Sequence, residues 1–215
     1  MEINKTLENL RINYQSAALD IHDCDQDPLL QFDKWLKEAL LSECDEPNAF
    51  ILSTVRDQQP RARVILLKGI HQNKFIFYTN YNSAKGVELE ENAKVAMTFM
   101  WLPLQRQVRI EGTVTKVSEE LSDDYFQKRP RGSQLGAIAS PQSQIVPNRE
   151  ALEKMFSEIE NKFKNIEILP RPTHWGGYAV APTLIEFWQG RNNRMHDRIC
   201  YVKNGKDWEL QRLAP

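Results

Sequence analysis

Near the C-terminus, Arg194, His196 and Arg198 alternate through Arg194-Met195-His196-Asp197-Arg198, shortly after Phe187-Trp188-Gln189-Gly190. Residues two apart in an extended chain share a face, so the spacing predicts that both guanidinia and the imidazole point the same way. Fixed cations flanking an imidazole suit an anionic, aromatic ligand better than an apolar core. A second cluster runs through Tyr125-Phe126-Gln127-Lys128-Arg129-Pro130-Arg131-Gly132-Ser133. Tyr125 and Arg129 fall on one helix face, and Ser133 lies just past the stop at Pro130. Such a phenol, guanidinium and hydroxyl can hold a phosphate dianion through charge-assisted hydrogen bonds. The third cluster, Arg63-Val64-Ile65-Leu66-Leu67-Lys68, is an apolar strand bracketed by cations. Regular alternation puts Arg63 and Lys68 on opposite faces, so both meet ligands only if the strand bulges or both faces line sites, as at a subunit junction.

Taken singly, each cluster also reads as a solvated edge strand, a cationic last helical turn or a wet strand end. Their recurrence is what points to a site. A weaker feature is Ser83, the N-cap of a short helix that would bring Lys85 and free backbone N–H groups to an anion. Gln107, Gln142, Ser143 and Trp188 offer amide, hydroxyl and indole groups to a polar ring system.

The elements that must position these residues follow from periodicity. Asp27-Pro28 reads as a helix start, with Leu29, Phe32, Leu36, Ala39 and Leu40 at helical spacing up to the break at Pro47. Strands are predicted over 49–55, 61–68, 74–79, 95–100 and 107–117, with a short helix over 83–91 and Gly112 marking a bulge or bend. Ser118 opens a helix that Pro130 stops, and a second begins near Asn148, with Leu152, Met155, Phe156, Ile159 and Phe163 as its apolar stripe. Strands over 178–180, 184–188, 198–202 and 208–213 follow, the last two joined by a turn at Asn204-Gly205. The fold class is mainly β with α, an α+β barrel or sandwich. Residues 1–27 form a polar arm, and 28–215 form a single domain.

Bulk properties narrow the function. The 215 residues are 41% hydrophobic and 27% charged, with a net charge of −1. That is globular composition without the global field that favours nucleic acid or an anionic membrane. No apolar run approaches the ~20 residues that span a bilayer. Cys24, Cys44 and Cys200 are odd in number and unpaired in spacing, which suits a reducing cytoplasm. The four histidines show no zinc-ligand spacing, so no metal is expected. Glycine-rich nucleotide loops and a nucleophile elbow are missing as well.

Taken in order, RVILLK, FYTN-x-x-S-x-K, RQV-x-x-x-G, YF-x-x-RPR-x-SQ-x-GA, QS, FWQG, R-x-HDR and the terminal RLAP resemble the pyridoxine/pyridoxamine 5′-phosphate oxidase family. The resemblance runs from about Pro28 to Pro215. It implies an FMN-binding split β-barrel with surrounding helices, and a homodimer with flavin sites at the subunit interface. By resemblance, FMN contacts fall on Arg63, Val64, Ile65, Leu66, Leu67, Lys68, Tyr78, Thr79, Lys85, Gln107, Gln142, Ser143, Trp188 and Arg198. The substrate phosphate falls to Lys68, Tyr125, Arg129 and Ser133, and the pyridine ring to the catalytic pair Arg194 and His196. Arg11 and Tyr14 fall where the family's N-terminal arm closes over the substrate. The implied reaction oxidises pyridoxine or pyridoxamine 5′-phosphate to pyridoxal 5′-phosphate, with dioxygen giving hydrogen peroxide. Another FMN split-barrel oxidoreductase, or a non-catalytic FMN or pyridoxal phosphate carrier, is the alternative.

One departure stands out: the family usually has a basic residue where this chain has Ala84. Losing a charge-assisted contact costs about 1.5–3 kcal/mol, roughly tenfold to a hundredfold in affinity. Weaker FMN binding is therefore expected unless another cation compensates.

Overall fold

The computed structural model describes residues 7–9, 13–14 and 17–215. Five α-helices are described: α1 (Pro28–Leu40), α2 (Ala84–Glu91), α3 (Glu119–Lys128), α4 (Arg131–Ala139) and α5 (Arg149–Lys162). The strands are β1 (Ala49–Arg56), β2 (Gln59–Leu66), β3 (Gly69–His71), β4 (Lys74–Asn80), β5 (Lys94–Trp101), β6 (Arg106–Lys116), β7 (Trp175–Gln189), β8 (Asp197–Asn204) and β9 (Asp207–Arg212). They hydrogen-bond in the order β2-β1-β5-β6-β7-β4-β3, with β8 on β7 and β9 on β8. The mainly β, α+β class read from the sequence is the class observed. By Cα packing the chain falls into two compact units. Unit one holds Met1–Asn48, Thr98–Ile110 and Thr183–Pro215; unit two holds Ala49–Met97 and Glu111–Pro182.

In unit one, Asp27 caps α1 by accepting from the Leu29 N–H at 2.8 Å, with Pro28 in the first turn. The helix buries Phe32, Trp35 and Ala39, whereas Leu40 is exposed despite its spacing. Trp35 meets Phe187 edge-on at 5.1 Å and Phe32 meets Phe99 at the same separation. Trp101, buried beside them, donates its indole N–H to Pro47 O at 2.8 Å, which satisfies the polar atom that burial would otherwise penalise. From the expected arm, Leu19 N–H donates to Asp197, and Tyr201 donates its hydroxyl to Asp25 O.

In unit two, β1 and β2 form a hairpin closed by Asp57 and Gln58, both at positive φ. The primed turn matches the twist of the strands. Phe50, Phe75, Phe77 and Met97 fill its core. A second core gathers Phe126, Leu135, Leu169 and Trp175, with Phe156, Ile159 and Phe163 of the α5 region packed against it.

Several elements differ from the sequence reading. The chain leaves β2 at Leu66, and Lys68 bonds through its backbone N–H to Ile76 O, so the opposite-face problem disappears because Lys68 is outside the strand. α4 was not expected: Pro130 ends one helix and, by fixing its own φ, leads directly into the next. The strands expected over 178–180 and 184–188 are one 15-residue strand, β7, uninterrupted by Pro182. Its residues 175–180 pair with β4 and 184–189 with β8. Gly112 serves a close approach, since a Cβ there would lie 2.3 Å from Ala181 O.

Candidate functional site

In unit two a cationic cradle forms where β2, β4 and the start of α2 meet. Ser83 caps α2 by accepting from the Gly86 N–H at 3.3 Å and donates to Asn80 O. Lys85 donates to Thr79 Oγ1 at 3.2 Å and Ser83 Oγ at 3.4 Å, and Thr79 in turn donates to Gln142 Oε1 at 3.4 Å. From β2, Arg63 reaches the carboxylate of Glu88 at 2.6 Å and Thr54 Oγ1 at 2.6 Å. Burial would raise the Glu88 carboxyl, but hydrogen bonds from Thr54 and Arg63, with the charges of Arg63 and Arg61, bring it below its ordinary range. Burial and then the Arg63 charge lower the Lys85 pKa, which moves it toward its neutral form. Arg61, Arg63 and Lys85 nevertheless outnumber the Glu88 carboxylate here, beside helix N–H groups that also favour an anion.

The same unit holds an aromatic stack. Tyr78 lies on Tyr125 at 3.9 Å and on Trp175 at 5.6 Å, with interplanar angles of 14° and 10°. Burial pushes the Tyr78 phenol up to about 12, so it stays protonated. Arg129 sits over the Trp175 ring at 4.6 Å, and its buried NH1 has no hydrogen-bond partner among the described residues. Burial lowers the Arg129 pKa, opposed by Tyr125. An unpaired guanidinium nitrogen in such surroundings is costly unless an anion meets it. The expected Tyr125–Arg129 pair is thus brought together, although Arg129 lies just outside α3, and Trp175 is the surface that joins them. Ser133 is exposed in the first turn of α4, and the Lys68 side chain is exposed. Arg131, from the same basic run, instead caps backbone carbonyls of Phe163, Ile166 and Glu167.

In unit one, Trp188 and His196 lie 4.6 Å apart, with Tyr14 edge-on to both at 5.8 and 5.7 Å. A cavity of about 410 Å³ is lined by Tyr14, Arg191, Asn192 and Met195. His196 Nδ1 accepts from the backbone N–H of Arg191 at 3.1 Å. Burial and the Arg194 charge lower its pKa, against Asp197. The shared face expected for Arg194, His196 and Arg198 is not observed. Arg194 precedes β8 in a left-handed conformation (φ 59°), as does Asn193 (φ 56°), which breaks the alternation. Arg198 is directed to Glu186 at 2.7 Å and to Ala214 O at 2.8 Å. Glu186 is buried in β7 and also takes Arg109 at 3.0 Å.

Of the other expected contacts, Val64 is exposed, Ile65 and Leu66 are half-buried, Leu67 is buried and Gln107 is half-buried on β6. Gln142 and Ser143 are exposed in the α4–α5 loop, Ser143 at φ 72°. Arg11 lies outside the described residues. Sequence reasoning missed Glu88, Glu186 and Trp175. Glu186 carried a signal, because a carboxylate inside the apolar run Leu184-Ile185-Glu186-Phe187-Trp188 needs a buried partner.

Among the described residues no group of histidine, cysteine and carboxylate side chains is placed to hold a metal ion, and no helix is long and apolar enough to cross a membrane. Among the described residues, an antiparallel sheet flanked by helices carries a cationic cradle and aromatic clusters, features that suit flat, anionic ligands. Comparisons narrow the class. A profile described as pyridoxamine 5′-phosphate oxidase matches residues 36–163, and one described as the pyridoxine 5′-phosphate oxidase C-terminal dimerisation region matches 175–215. The chain belongs to the pyridoxamine 5′-phosphate oxidase family. It is 52% identical over 211 residues to a pyridoxine/pyridoxamine 5′-phosphate oxidase of Leptospira interrogans, covering 97% of this chain and 98% of the relative. A relative of the same name from Acaryochloris marina is 50% identical over 211 residues, covering 98% and 96%. Among solved structures, PhzG from Burkholderia lata, in complex with tetrahydrophenazine-1-carboxylic acid, has a TM-score of 0.86 at 29% identity, covering 94% of this chain and all of that one. A pyridoxamine 5′-phosphate oxidase-related, FMN binding protein from Nostoc punctiforme has a TM-score of 0.69 at 16% identity, covering 86% and 97%, a likeness of fold.

Proposed function

We propose that this chain is an FMN-dependent oxidase that converts pyridoxine 5′-phosphate or pyridoxamine 5′-phosphate to pyridoxal 5′-phosphate, with dioxygen as electron acceptor and hydrogen peroxide as product. The observation that carries the reading is the buried Arg129 nitrogen left without a partner against a Tyr78–Tyr125–Trp175 stack. A phosphate supplies the contact that nitrogen lacks. Names of relatives about 50% identical over nearly the whole chain point to the same substrates.

The excess of positive charge at Arg63 and Lys85, with Thr79 beside them, fits the phosphate of FMN. In this reading Gln107, Gln142, Ser143, Trp188 and Arg198 hold the flavin ring, with Tyr78 and the 64–67 backbone alongside. Bound FMN would supply the redox chemistry, hydride acceptance from the substrate C4′ carbon and reoxidation by dioxygen. The protein then has to bind and orient. Lys68, Tyr125, Arg129 and Ser133 grip the substrate phosphate, Arg194 and His196 orient the pyridine ring, and Arg11 and Tyr14 cover it. With Nδ1 accepting from Arg191, neutral His196 carries its proton on Nε2 and presents a donor to the substrate. No protein nucleophile is needed. The match to a dimerisation region supports a homodimer, and this reading places the flavin at its subunit interface. Cysteines not joined in disulfides suit the cytoplasm.

Anaerobic addition of pyridoxine 5′-phosphate to the FMN-loaded protein should bleach the flavin band, and air should restore it. Bleaching by a nicotinamide donor but by neither phosphate ester would favour another flavin oxidoreductase. Binding with no bleaching by any donor would leave a carrier.

A further inference from the structure

Position 84, where the family resemblance leads one to expect a cation, is alanine, yet the cradle is not short of charge. Arg61 and Arg63 are two apart on β2, so they share a strand face. Ala84 and Glu88 are four apart on α2, so they share a helix face. Glu88, whose side chain is 0% exposed, ties the two faces together: Oε2 takes Arg63 and Thr54 at 2.6 Å, and Oε1 takes Arg61 at 3.3 Å. A basic residue at position 84 could pair with Glu88 one turn along. Alanine leaves that oxygen to the neighbouring strand.

Three cations, Arg61, Arg63 and Lys85, thus stand around a single buried carboxylate. The Arg61 side chain is 42% exposed, and its contact to Glu88 is the longer of the two arginine contacts. Arg63 also bonds Thr54 Oγ1 and Leu52 O, and Lys85 bonds Thr79 and Ser83, so Arg61 is the least constrained of the three. We infer that Arg61 is a third phosphate-binding cation of the cradle, standing in for the charge that Ala84 lacks. This rests on the FMN reading above. A bound anion would offset the Arg63 charge, which after burial is what lowers the Lys85 pKa.

The test measures flavin affinity, not turnover. Apo-protein is titrated with FMN and with riboflavin, which lacks the phosphate, and quenching of flavin fluorescence gives Kd. Arg61→Ala should weaken FMN at least tenfold and leave riboflavin unchanged, which also shows that the variant is folded. Adding Ala84→Arg to Arg61→Ala should restore most of the FMN affinity. Equal FMN affinity in wild type and Arg61→Ala overturns the inference. So does a loss that Ala84→Arg fails to restore, or one shared by riboflavin, since Arg61 would then only brace Glu88. A wild-type chain that binds neither flavin sinks the oxidase reading itself, and the inference with it.

Discussion

The backbone N–H of Arg191 donates to Nδ1 of His196, so the loop that carries the imidazole also fixes which nitrogen faces outward. Protonation would put a hydrogen on Nδ1 and set it against the Arg191 N–H. Burial and Arg194 disfavour the cation as well. The folded-state pKa therefore lies below the unfolded one, and the folded protein binds fewer protons. Stability from this site is present above the unfolded pKa and is lost as pH falls through it toward the folded value. Nitrogen-resolved NMR of the labelled imidazole should show the Nε2–H tautomer at pH 7 and a midpoint below 6.5. A midpoint above that value would contradict the arrangement.

Arg129→Met should separate stability from binding. The substitution removes a half-buried guanidinium with one buried, unsatisfied nitrogen while keeping apolar contact with Trp175. Thermal stability should stay level or rise. KM for the phosphorylated substrate should increase roughly tenfold to a hundredfold, the worth of a charge-assisted hydrogen bond. FMN affinity should not move.

Arg131→Ala should do the reverse. Its guanidinium caps three carbonyls just past α5, and no ligand role is assigned to it. Denaturant unfolding should show a loss of about 1–2 kcal/mol, with KM unchanged.

Glu186→Gln should destabilise unit one. The carboxylate holds Arg109 and Arg198, and its side chain is 4% exposed. Removing one member of a buried ionic group costs about 3–5 kcal/mol. Both arginines keep some solvent, so about 2–3 kcal/mol is expected here by urea titration. FMN affinity should fall too, because Arg198 loses the group that aims it.

Much of this was legible in the sequence, and the exceptions share a cause. Caps at Asp27, Ser83, Ser118 and Asn148 were readable because a capping side chain acts within three residues of itself. Tyr125 and Arg129 were readable as a pair by helical spacing. Trp175 was not, because it reaches them from a strand far along the chain, and no local pattern encodes that. The face-sharing argument for Arg194 failed where two left-handed residues interrupt the strand, and neither Asn193 nor Arg194 advertises positive φ as glycine does. Nothing local marks Glu88; only the fold reveals that Arg61 and Arg63 converge on it.

The unbroken run of β7 has an evolutionary corollary. Trp175 opens it and Trp188 nearly closes it, and side chains along a strand change sides at each step. Gaining or losing a single residue inside that stretch would invert every downstream position at once. Descendants of this protein can therefore retune their ligand preference there by exchanging side chains, whereas changes of length are confined to the connecting loops.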